Sequence, residues 1–350
     1  MIYLICFITL LFAELAYFGV ARHFNIIDKP GLRSSHTSVT LRGGGIIFLF
    51  GAWFFWLTFG MPYPWFMLAL TMVGLVSFAD DVRSLPDSVR LVVQFTAMFL
   101  MFYQMGILTP RLWWMAVIAL IVCVGIINAY NFMDGINGIT GAYSLAVLAP
   151  LVWLDSRLHF VEMPFLYVTG ISILVFCIFN FRRRARCFAG DVGSISMAFI
   201  LLFALGMLVI RTGDLAYLTL LAVYGADSVL TICHRIRLHE NLGQAHRKHA
   251  YQLMANELKI PHVAVATFYM VLQLAISAGL IFLPVNHYIY VCRHRAPGCR
   301  IHRLHEEILP SPRRISQIQN EQSITTIIWN AYFFASPKCA AAKSTSSKRP

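Results

Sequence analysis

The 350-residue chain carries little charge for its length. Asp, Glu, Lys and Arg together account for 13% of its residues, whereas soluble globular domains carry roughly 25%. The few charged residues are mostly basic, with 28 Lys and Arg against 16 Asp and Glu, while 58% of the chain is hydrophobic. This balance excludes an ordinary water-soluble domain.

Paired cysteines and nucleic-acid-binding modules are also missing. The eight cysteines form no CxxC pair and no metal-ligand spacing, so the sequence offers neither a disulfide framework nor a cysteine metal site. Cys6, Cys123 and Cys177 lie in apolar runs, where cysteine usually acts as a small buried hydrophobic residue. No nucleic-acid-binding module accompanies the formal net charge of +12, so we predict no nucleic-acid partner.

The chain has instead a succession of apolar runs close to the ~20 residues that a helix needs to span a bilayer. They predict an all-α polytopic membrane protein with about ten transmembrane helices. The predicted spans are 2–20, 44–60, 65–79, 90–106, 112–127, 138–154, 163–181, 194–210, 215–233 and 263–283. The first run lacks a basic leading region and a small-residue cleavage site, so it is predicted to remain as a span.

Basic residues are concentrated in the loops that follow the odd-numbered spans. Fifteen Lys and Arg residues lie in these loops, against three (Arg111, Arg157 and Arg211) on the other side. Because Lys and Arg mark cytoplasmic loops, we predict that the fifteen-charge side is cytoplasmic and that the N-terminus is outside. The membrane pattern ends after the tenth span, which predicts a transmembrane domain at 1–283 and a basic tail of uncertain structure at 284–350.

Polar residues collect in the same loops. RGGG occupies 42–45, DD 80–81, NxxNxxDG 128–135 and GD 190–191, each near the end of a predicted span. Carboxylates at helix ends suit Mg²⁺, which takes a few protein carboxylates together with substrate phosphates. Arginine offers phosphate a bidentate fork, and glycine lets the backbone approach a ligand closely. These features predict phosphoryl chemistry on a nucleotide-linked substrate at the membrane surface.

Each feature has a simpler structural interpretation when it is taken alone. The RRRAR run at 182–186 is typical of a topology signal, and Gly43–Gly45 are typical of close helix packing. Isolated acidic residues are expected to be helix caps, and isolated histidines to be interfacial residues without a role. The residues concerned are Asp28, Asp87, Asp155 and Asp214, and His23, His159 and His262. These interpretations leave the recurrence of DD, NxxNxxDG and GD on one side unexplained.

Five segments, in order, resemble the polyprenyl-phosphate N-acetylhexosamine-1-phosphate transferases, the family of phospho-N-acetylmuramoyl-pentapeptide transferase and of the undecaprenyl-phosphate N-acetylglucosamine-1-phosphate transferases. They are RGGG (42–45), DDVRSL (80–85), NAYNFMDGINGITG (128–141), FAGDVGS (188–194) and RKHAYQ (247–252). The resemblance covers residues 1 to about 283 and is nearest to members that start O-antigen or capsular polysaccharides. It implies transfer of an N-acetylhexosamine-1-phosphate from a UDP-sugar to undecaprenyl phosphate, with release of UMP, by a catalytic domain in the bacterial inner membrane with a cytoplasmic active site.

The resemblance also implies roles for individual residues. Asp80 and Asp81 would be the catalytic carboxylates, and Asp191 would be the ligand of Mg²⁺, for which Mn²⁺ is an alternative. The substrate-binding residues would be Asn128, Asn131, Asp134, Asn137, Phe188 (stacked on uracil), Arg42, Arg247 and His249. The implied partners are undecaprenyl phosphate, a UDP-N-acetylhexosamine and membrane lipid, with a homodimer as an assembly to be tested.

Three features depart from the family pattern. Many relatives carry an aspartate where this chain has Asn137, and their cluster of several histidines is reduced here to RKHAY, with His249 as its best match. Residues 284–350 resemble nothing in the family; a shifted reading frame near residue 284 and a lineage-specific tail both stay open. The sequence does not identify the sugar, so N-acetylglucosamine, N-acetylgalactosamine and 6-deoxy-N-acetylhexosamines stay open.

The sequence is compatible with more than one mechanism and more than one class of protein. The lipid phosphate can attack directly with Asp80 beside it, which we favour, or an aspartate can attack first and form a phospho-aspartyl intermediate. A transporter or lipid flippase would use Glu14 and Asp227 as functional charges within the membrane. A CDP-alcohol phosphotransferase motif also begins with Asp-Gly but needs further aspartates, which GINGITGAYSLAV lacks.

Overall fold

The computed structural model describes residues 1–29, 39–109, 113–241 and 247–282. The α-helices in these ranges are α1 (Ile2–His23), α2 (Ile46–Thr58), α3 (Pro64–Val82), α4 (Asp87–Met105), α5 (Trp113–Phe132), α6 (Ile139–Leu158), α7 (Met163–Asn180), α8 (Gly190–Thr212), α9 (Ala222–Arg237), α10 (Ala250–Asn256) and α11 (His262–Phe282). A 3-10 helix at Leu215–Leu221 leads into α9, and two short strands, β1 (Ile27–Asp28) and β2 (Thr40–Leu41), pair antiparallel. The tail predicted at 284–350 lies outside the described residues.

Nine helices in the described ranges are long and apolar enough to cross a membrane, with the 3-10 helix and α9 counted as one span. Each of the ten predicted spans coincides with a helix, so the prediction of an all-α polytopic membrane protein is confirmed. The second span differs in length. It is predicted at 44–60, but α2 has only 13 residues, a rise of about 20 Å against the ~30 Å of a bilayer core. Gly43, with a φ of +77°, lies outside the helix, where the chain turns toward the start of α8.

Helix α8 lies at the centre of the bundle. All of its residues from 192 to 205 are buried, and it packs against α3 through aromatic rings, with Phe66 and Phe203 stacked at 4.1 Å between their centroids. A helix that is apolar and buried all round belongs in the interior of a bundle. Helix α5, in contrast, exposes much of its apolar surface, including Trp113 and Ile121. The central helix therefore offers rigid support to the residues at its N-terminus.

Close backbone contacts join the segment before α2 to the segment before α8. Leu41 forms a parallel bridge with Cys187, and the first turns of α2 and α8 meet at two glycines. A Cβ atom built on Gly45 would lie only 2.2 Å from the Cα of Gly193, so no side chain fits between these turns. The helix-packing interpretation of the glycines is therefore correct for Gly45.

Asp214 caps the 3-10 helix, as predicted, whereas Asp155 lies within α6 and binds the loop that follows this helix. The Oδ1 atoms of Asp155 and Asp214 accept backbone N–H bonds at 2.8 to 3.0 Å from residues that follow them in the chain. Asp87 lies in the first turn of α4, where it pairs with Arg90. Asp28 lies in β1 instead of at a helix end.

Candidate active site

The polar segments that the sequence places on one side come together at one end of the bundle. Arg42 of the RGGG segment bonds to Asp81 at the end of α3 and to Asp191 at the start of α8. Asn131, near the end of α5, accepts a hydrogen bond from the hydroxyl of Ser194 at 2.8 Å. Four of the five motif segments are thus linked by direct side-chain contacts.

Three carboxylates and two guanidinium groups form the centre of this site, here termed the acidic cluster. Its members are Asp80, Asp81, Asp191, Arg42 and Arg90. Nε of Arg42 lies 2.6 Å from Oδ1 of Asp81, and its Nη2 lies 3.2 Å from Oδ1 of Asp191. With all five groups ionised, the cluster has one more negative than positive charge, so an added cation is electrostatically favoured.

Both oxygens of the Asp81 carboxylate have hydrogen-bond partners within the protein. Its side chain has 0% exposure, and its two oxygens accept the backbone N–H groups of Asp191 and Val192, each at 2.9 Å. These N–H groups belong to the first turn of α8, which has no partner for them within the helix. These two bonds explain why α8 begins at residue 190, ahead of the predicted 194. They also explain why residue 190 is a glycine, because a Cβ atom there would lie 2.5 Å from Oδ2 of Asp81.

Asp80 and Asp191 differ from Asp81 in that their carboxylates lie on either side of one nitrogen of the Arg90 guanidinium. Nη1 of Arg90 is 2.9 Å from Oδ2 of Asp80 and 3.3 Å from Oδ2 of Asp191. The two side chains are 8% and 13% exposed, so they are mostly buried but less so than that of Asp81. Carboxylate oxygens that converge on one positive group are the ligands that Mg²⁺ prefers.

The donor set fits Mg²⁺ better than a metal that needs a complete protein cage. The described residues contain no group of three or more His, Cys, Asp or Glu side chains arranged to hold a metal. Mg²⁺ usually retains waters and takes one or two carboxylates together with substrate phosphates. Asp191 and Asp80 supply that number of carboxylates.

Arg90 is a site residue that sequence reasoning missed, since it is counted there only as a basic loop residue. It lies in the first turn of α4, where it contacts Asp80, Asp87 and Asp191. One signal in the sequence could have indicated Arg90. It lies ten residues after Asp80, in the first turn of the helix that begins after Pro86.

The RGGG segment presents Arg42 to the cluster through backbone bonds. The hydroxyl of Tyr17 donates to the carbonyl of Arg42 at 2.6 Å, and the N–H of Gly44 donates to the carbonyl of Phe188 at 2.8 Å. Partial burial of the Arg42 guanidinium lowers its pKa, but the carboxylates of Asp81 and Asp191 outweigh this effect and raise the pKa above its ordinary value. Arg42 therefore stays charged at any physiological pH.

Asp134 forms a second acidic position beside the cluster. Its Oδ1 accepts a hydrogen bond from the Thr140 hydroxyl. Burial of the carboxyl raises its pKa to about 6; the charge of Asp81 adds to the increase, whereas the Thr140 hydroxyl and the charge of Arg42 oppose it. Asp134 is thus the described carboxyl group outside the spans that changes charge just below neutral pH.

Two of the asparagines predicted to bind substrate have their amide groups bonded to the protein. Nδ2 of Asn128 donates to the carbonyl of Val124 at 2.8 Å and to Oε1 of Gln94 at 3.3 Å. Asn137 is 5% exposed, and its amide nitrogen donates to carbonyl groups of the loop before α8. Its backbone N–H donates to Nδ1 of His262 at 3.4 Å, so the expectation that His262 has no role is wrong.

Phe188 lies beside the cluster on the loop before α8 and is half-buried. Its N–H donates to the carbonyl of Leu41 at 2.8 Å, while its own carbonyl accepts the N–H of Gly44. The backbone of Phe188 is thus fixed from both sides by the RGGG segment, three residues before Asp191.

His249 and Arg247 belong to the segment that leads into α10. His249 is buried at the N-terminus of α10, and its Nδ1 lies 3.3 Å from Oδ1 of Asp227. The Tyr251 hydroxyl donates to the carbonyl of Phe132 at 2.8 Å, which joins α10 to the end of α5. The fifth motif segment is therefore attached to the same end of the bundle, and Arg247 lies two residues before His249.

The two acidic residues that a transporter would use both support loops at this end. Asp227 accepts bonds from the Ala250 N–H at 2.9 Å and from the Tyr269 hydroxyl at 2.6 Å. Glu14 is buried, with Oε1 3.5 Å from Sγ of Cys187, directly behind the RGGG segment. Both carboxyl groups thus have structural contacts with the motif loops.

Fold and site together define an integral membrane protein with a cluster of charged side chains at one end of its helix bundle. Residues 63–211 match the family described as glycosyl transferase family 4. This match covers the central part of the chain and agrees with the resemblance of its motifs to the polyprenyl-phosphate N-acetylhexosamine-1-phosphate transferases.

Individual relatives cover different shares of the chain. The "Probable undecaprenyl-phosphate N-acetylglucosaminyl 1-phosphate transferase" of Bacillus subtilis (strain 168) is 25% identical over 259 residues, which is 67% of this chain and 72% of that protein. The undecaprenyl-phosphate alpha-N-acetylglucosaminyl 1-phosphate transferase of Yersinia pestis is 27% identical over 53% of this chain and 56% of its own length. The phospho-N-acetylmuramoyl-pentapeptide-transferase of Thermotoga maritima is 34% identical over 25% of this chain and 28% of its own length.

Proposed function

We propose that this protein transfers an N-acetylhexosamine-1-phosphate from a UDP-sugar to undecaprenyl phosphate, giving undecaprenyl-diphosphate-sugar and UMP. The reaction would initiate an O-antigen, capsular or other cell-envelope polysaccharide. The observation that carries the proposal is the position of Asp80 and Asp191 on either side of one guanidinium nitrogen of Arg90. The names of the B. subtilis and Y. pestis relatives, both of which specify an N-acetylglucosaminyl 1-phosphate transferase of undecaprenyl phosphate, support the same class of reaction.

Asp191, with Asp80 beside it, would hold Mg²⁺, for which Mn²⁺ is an alternative. When bound, the metal would neutralise charge on the diphosphate of the UDP-sugar and on the departing UMP. Arg42 and Arg90 would pair with phosphate oxygens, because their guanidinium groups are already at the cluster and can form bidentate bonds. Asn131, Asp134 and Phe188 lie on segments bonded to the cluster or to its supporting helices and are proposed to contact the nucleotide-sugar.

The transfer itself exchanges one phosphorus–oxygen bond for another. An oxygen of the lipid phosphate attacks the β-phosphorus of the UDP-sugar, and the bond from that phosphorus to the UMP oxygen breaks. A phosphate monoester has a second pKa near 6, so at pH 7 most of the lipid phosphate needs no base to remove its proton. Asp80 would accept the proton from the remainder at Oδ2, which pairs with the Arg90 side chain, while its Oδ1 accepts the N–H of Leu85. Asp81 is less suited to this role, because both of its oxygens accept backbone N–H groups of α8.

The active site is proposed to face the cytoplasm of a bacterial cell, with the N-terminus outside the inner membrane. The loops on the side of the acidic cluster contain fifteen Lys and Arg residues, against three on the opposite side, which supports this orientation. UDP-sugars are cytoplasmic metabolites, so the reaction requires this side.

A homodimer is a separate proposal, which size-exclusion chromatography with light scattering in detergent would test.

The decisive test incubates membranes containing the full chain with undecaprenyl phosphate, Mg²⁺ and a panel of UDP-sugars, and identifies the lipid product by mass. We expect one N-acetylhexosamine-1-phosphate to be transferred and UMP to be released. Asp191→Asn, at matched membrane content, should lose most of the activity and bind Mn²⁺ more weakly in electron paramagnetic resonance titrations. Release of CMP from a CDP-alcohol, or movement of a substrate without covalent change, would instead support the phosphotransferase or transporter alternative.

A further inference from the structure

The loop between α7 and α8, residues 181–189, is held by the side-chain amides of two asparagines. Nδ2 of Asn137 donates to the carbonyls of Arg182 and Arg183 at 3.0 and 3.1 Å. Asn180 accepts the N–H of Gly138 at 2.7 Å and donates to the carbonyl of Cys187 at 2.8 Å. This loop, termed the arginine loop, is therefore fixed to the segment that precedes α6.

The contact made by Asn137 requires a donor. Two carbonyl oxygens face the amide, and only its NH2 end can bond to both of them. An ionised aspartate has acceptors only, so it would lose both bonds and oppose two partial negative charges. Because Asn137 is only 5% exposed, water cannot easily replace the lost partners.

The arginine loop connects the Asn137 contact to the RGGG segment and to the start of α8. At its far end, Cys187 pairs with Leu41, Phe188 pairs with Gly44, and Asp191 follows in the first turn of α8. The four arginine residues of the loop are exposed, whereas the carbonyls of Arg182 and Arg183 accept the Asn137 amide, so these bonds hold the loop through its backbone. Asn137 thus holds the first part of this loop, and Asn180 and the RGGG segment hold its last part, which carries Phe188.

We infer that Asn137 is a positioning residue, which fixes the arginine loop by donating two amide hydrogens, and that aspartate cannot replace it in this chain. The inference is specific, because aspartate is the residue that many relatives carry at the matching position. Its effect on catalysis rests on the proposed function, whereas its effect on the loop does not.

The aspartate variant should respond to pH in a way that an alanine variant does not. When protonated, the carboxyl group introduced by Asn137→Asp would donate one O–H bond to a loop carbonyl, so lower pH should restore part of the contact. The groups that face this position are His262 at the start of α11, Asn180 at the end of α7, and the nearby charges of Asp134, Arg182 and Arg183. Partial recovery is therefore measured as the ratio to wild type at the same pH.

The test is limited proteolysis of the full-length protein in detergent, with trypsin cleavage after the arginines of the loop followed by mass spectrometry. At pH 8, Asn137→Asp and Asn137→Ala should be cut about tenfold faster than wild type, because two buried hydrogen bonds are lost. At pH 6, the ratio to wild type should fall for Asn137→Asp and stay high for Asn137→Ala. Asn131→Asp is the matched control, since its carboxylate can still accept the Ser194 hydroxyl and the loop should be cut at the wild-type rate.

Cleavage of Asn137→Asp at the wild-type rate at pH 8, or identical behaviour of the two Asn137 variants at both pH values, would overturn the inference. In the transfer assay, Asn137→Asp should raise the KM for the UDP-sugar severalfold more than it lowers kcat. If proteolysis behaves as expected but wild type transfers no sugar from the panel, the proposed function fails and the role of Asn137 stands.

Discussion

The backbone N–H of Asp191 donates to Oδ1 of Asp81 at 2.9 Å, across 110 positions of sequence. The carboxylate of Asp81 thus holds the first turn of α8, and with it the residue proposed to bind the metal. An anionic acceptor is favourable there, because the N-terminus of a helix carries partial positive charge. The adjacent carboxylate of Asp80 instead accepts the N–H of Leu85, just after the end of α3, and pairs with Arg90 of α4.

The roles of the two carboxylates can be separated by mutation. Asp81→Asn should lower the free energy of unfolding by roughly 1–3 kcal/mol, because its NH2 group would face a backbone N–H instead of accepting from it. Metal-free thermal unfolding in detergent measures this loss, and a Mg²⁺ titration should show a higher concentration for half-maximal activity. Asp80→Asn should mainly lower kcat. An Asp81→Asn enzyme with wild-type stability and wild-type Mg²⁺ dependence but a lower kcat would mean that Asp81 takes part in the chemistry directly.

Isotope exchange distinguishes direct attack from a covalent intermediate. With direct attack, labelled UMP should enter the UDP-sugar only when undecaprenyl phosphate is present, since no other group receives the sugar-phosphate. Asp80→Asn should then retain a slow transfer that rises with pH as the lipid phosphate loses its own proton. Lipid-independent exchange that is lost in Asp80→Asn but kept in Asp81→Asn would make Asp80 the nucleophile.

The raised pKa of Asp134 predicts a particular dependence of stability on pH. Its pKa increases from 3.8 to about 6 on folding, so the folded state binds the proton more tightly than the unfolded state between these values. Stability must therefore fall as pH rises through this window and change little above it. Asn at this position can still accept the Thr140 hydroxyl but cannot titrate. We expect the melting temperature of wild type to fall relative to Asp134→Asn between about pH 4 and pH 6, and a constant difference across that window would show that Asp134 titrates normally.

Membrane orientation can be tested with two cysteines at opposite ends of the bundle. In a background without the eight native cysteines, Ala185→Cys lies on the arginine loop and Ser156→Cys near the end of α6. An impermeant maleimide added to intact cells should label Ser156→Cys and should reach Ala185→Cys only after the membrane is opened. The reverse pattern would place the acidic cluster outside the cytoplasm.

Much of this fold could be predicted because its signals are local. Apolar runs locate the helices to within a few residues, and the acidic pairs, asparagines and glycines at their ends identify the segments that meet. The shortness of α2 could not be predicted, since Gly44 and Gly45 are nearly neutral in a hydropathy profile and leave the span only because they bond to the loop before α8. Contacts between distant positions decided that boundary.

The detailed roles within the site also depended on contacts that no sequence spacing reveals. Arg90 is one basic residue among many until the structure places its guanidinium between two carboxylates. Asp80 and Asp81 are adjacent and chemically identical, yet only Asp81 meets the backbone of α8. The motif indicated which residues gather, and the packing of α3 against α8 determined what each of them does.

The contact between Gly45 and Gly193 has a consequence for how this enzyme can diversify. Since backbone meets backbone there, the spacing between the RGGG segment and α8 cannot be tuned by exchanging one side chain for a slightly larger one. The lipid-facing surface of α5 has no such restriction, and its apolar residues can be exchanged freely for others of similar character. Adaptation to a membrane of different thickness or fluidity can therefore proceed on the outside of the bundle while the spacing between the RGGG segment and α8 stays constant.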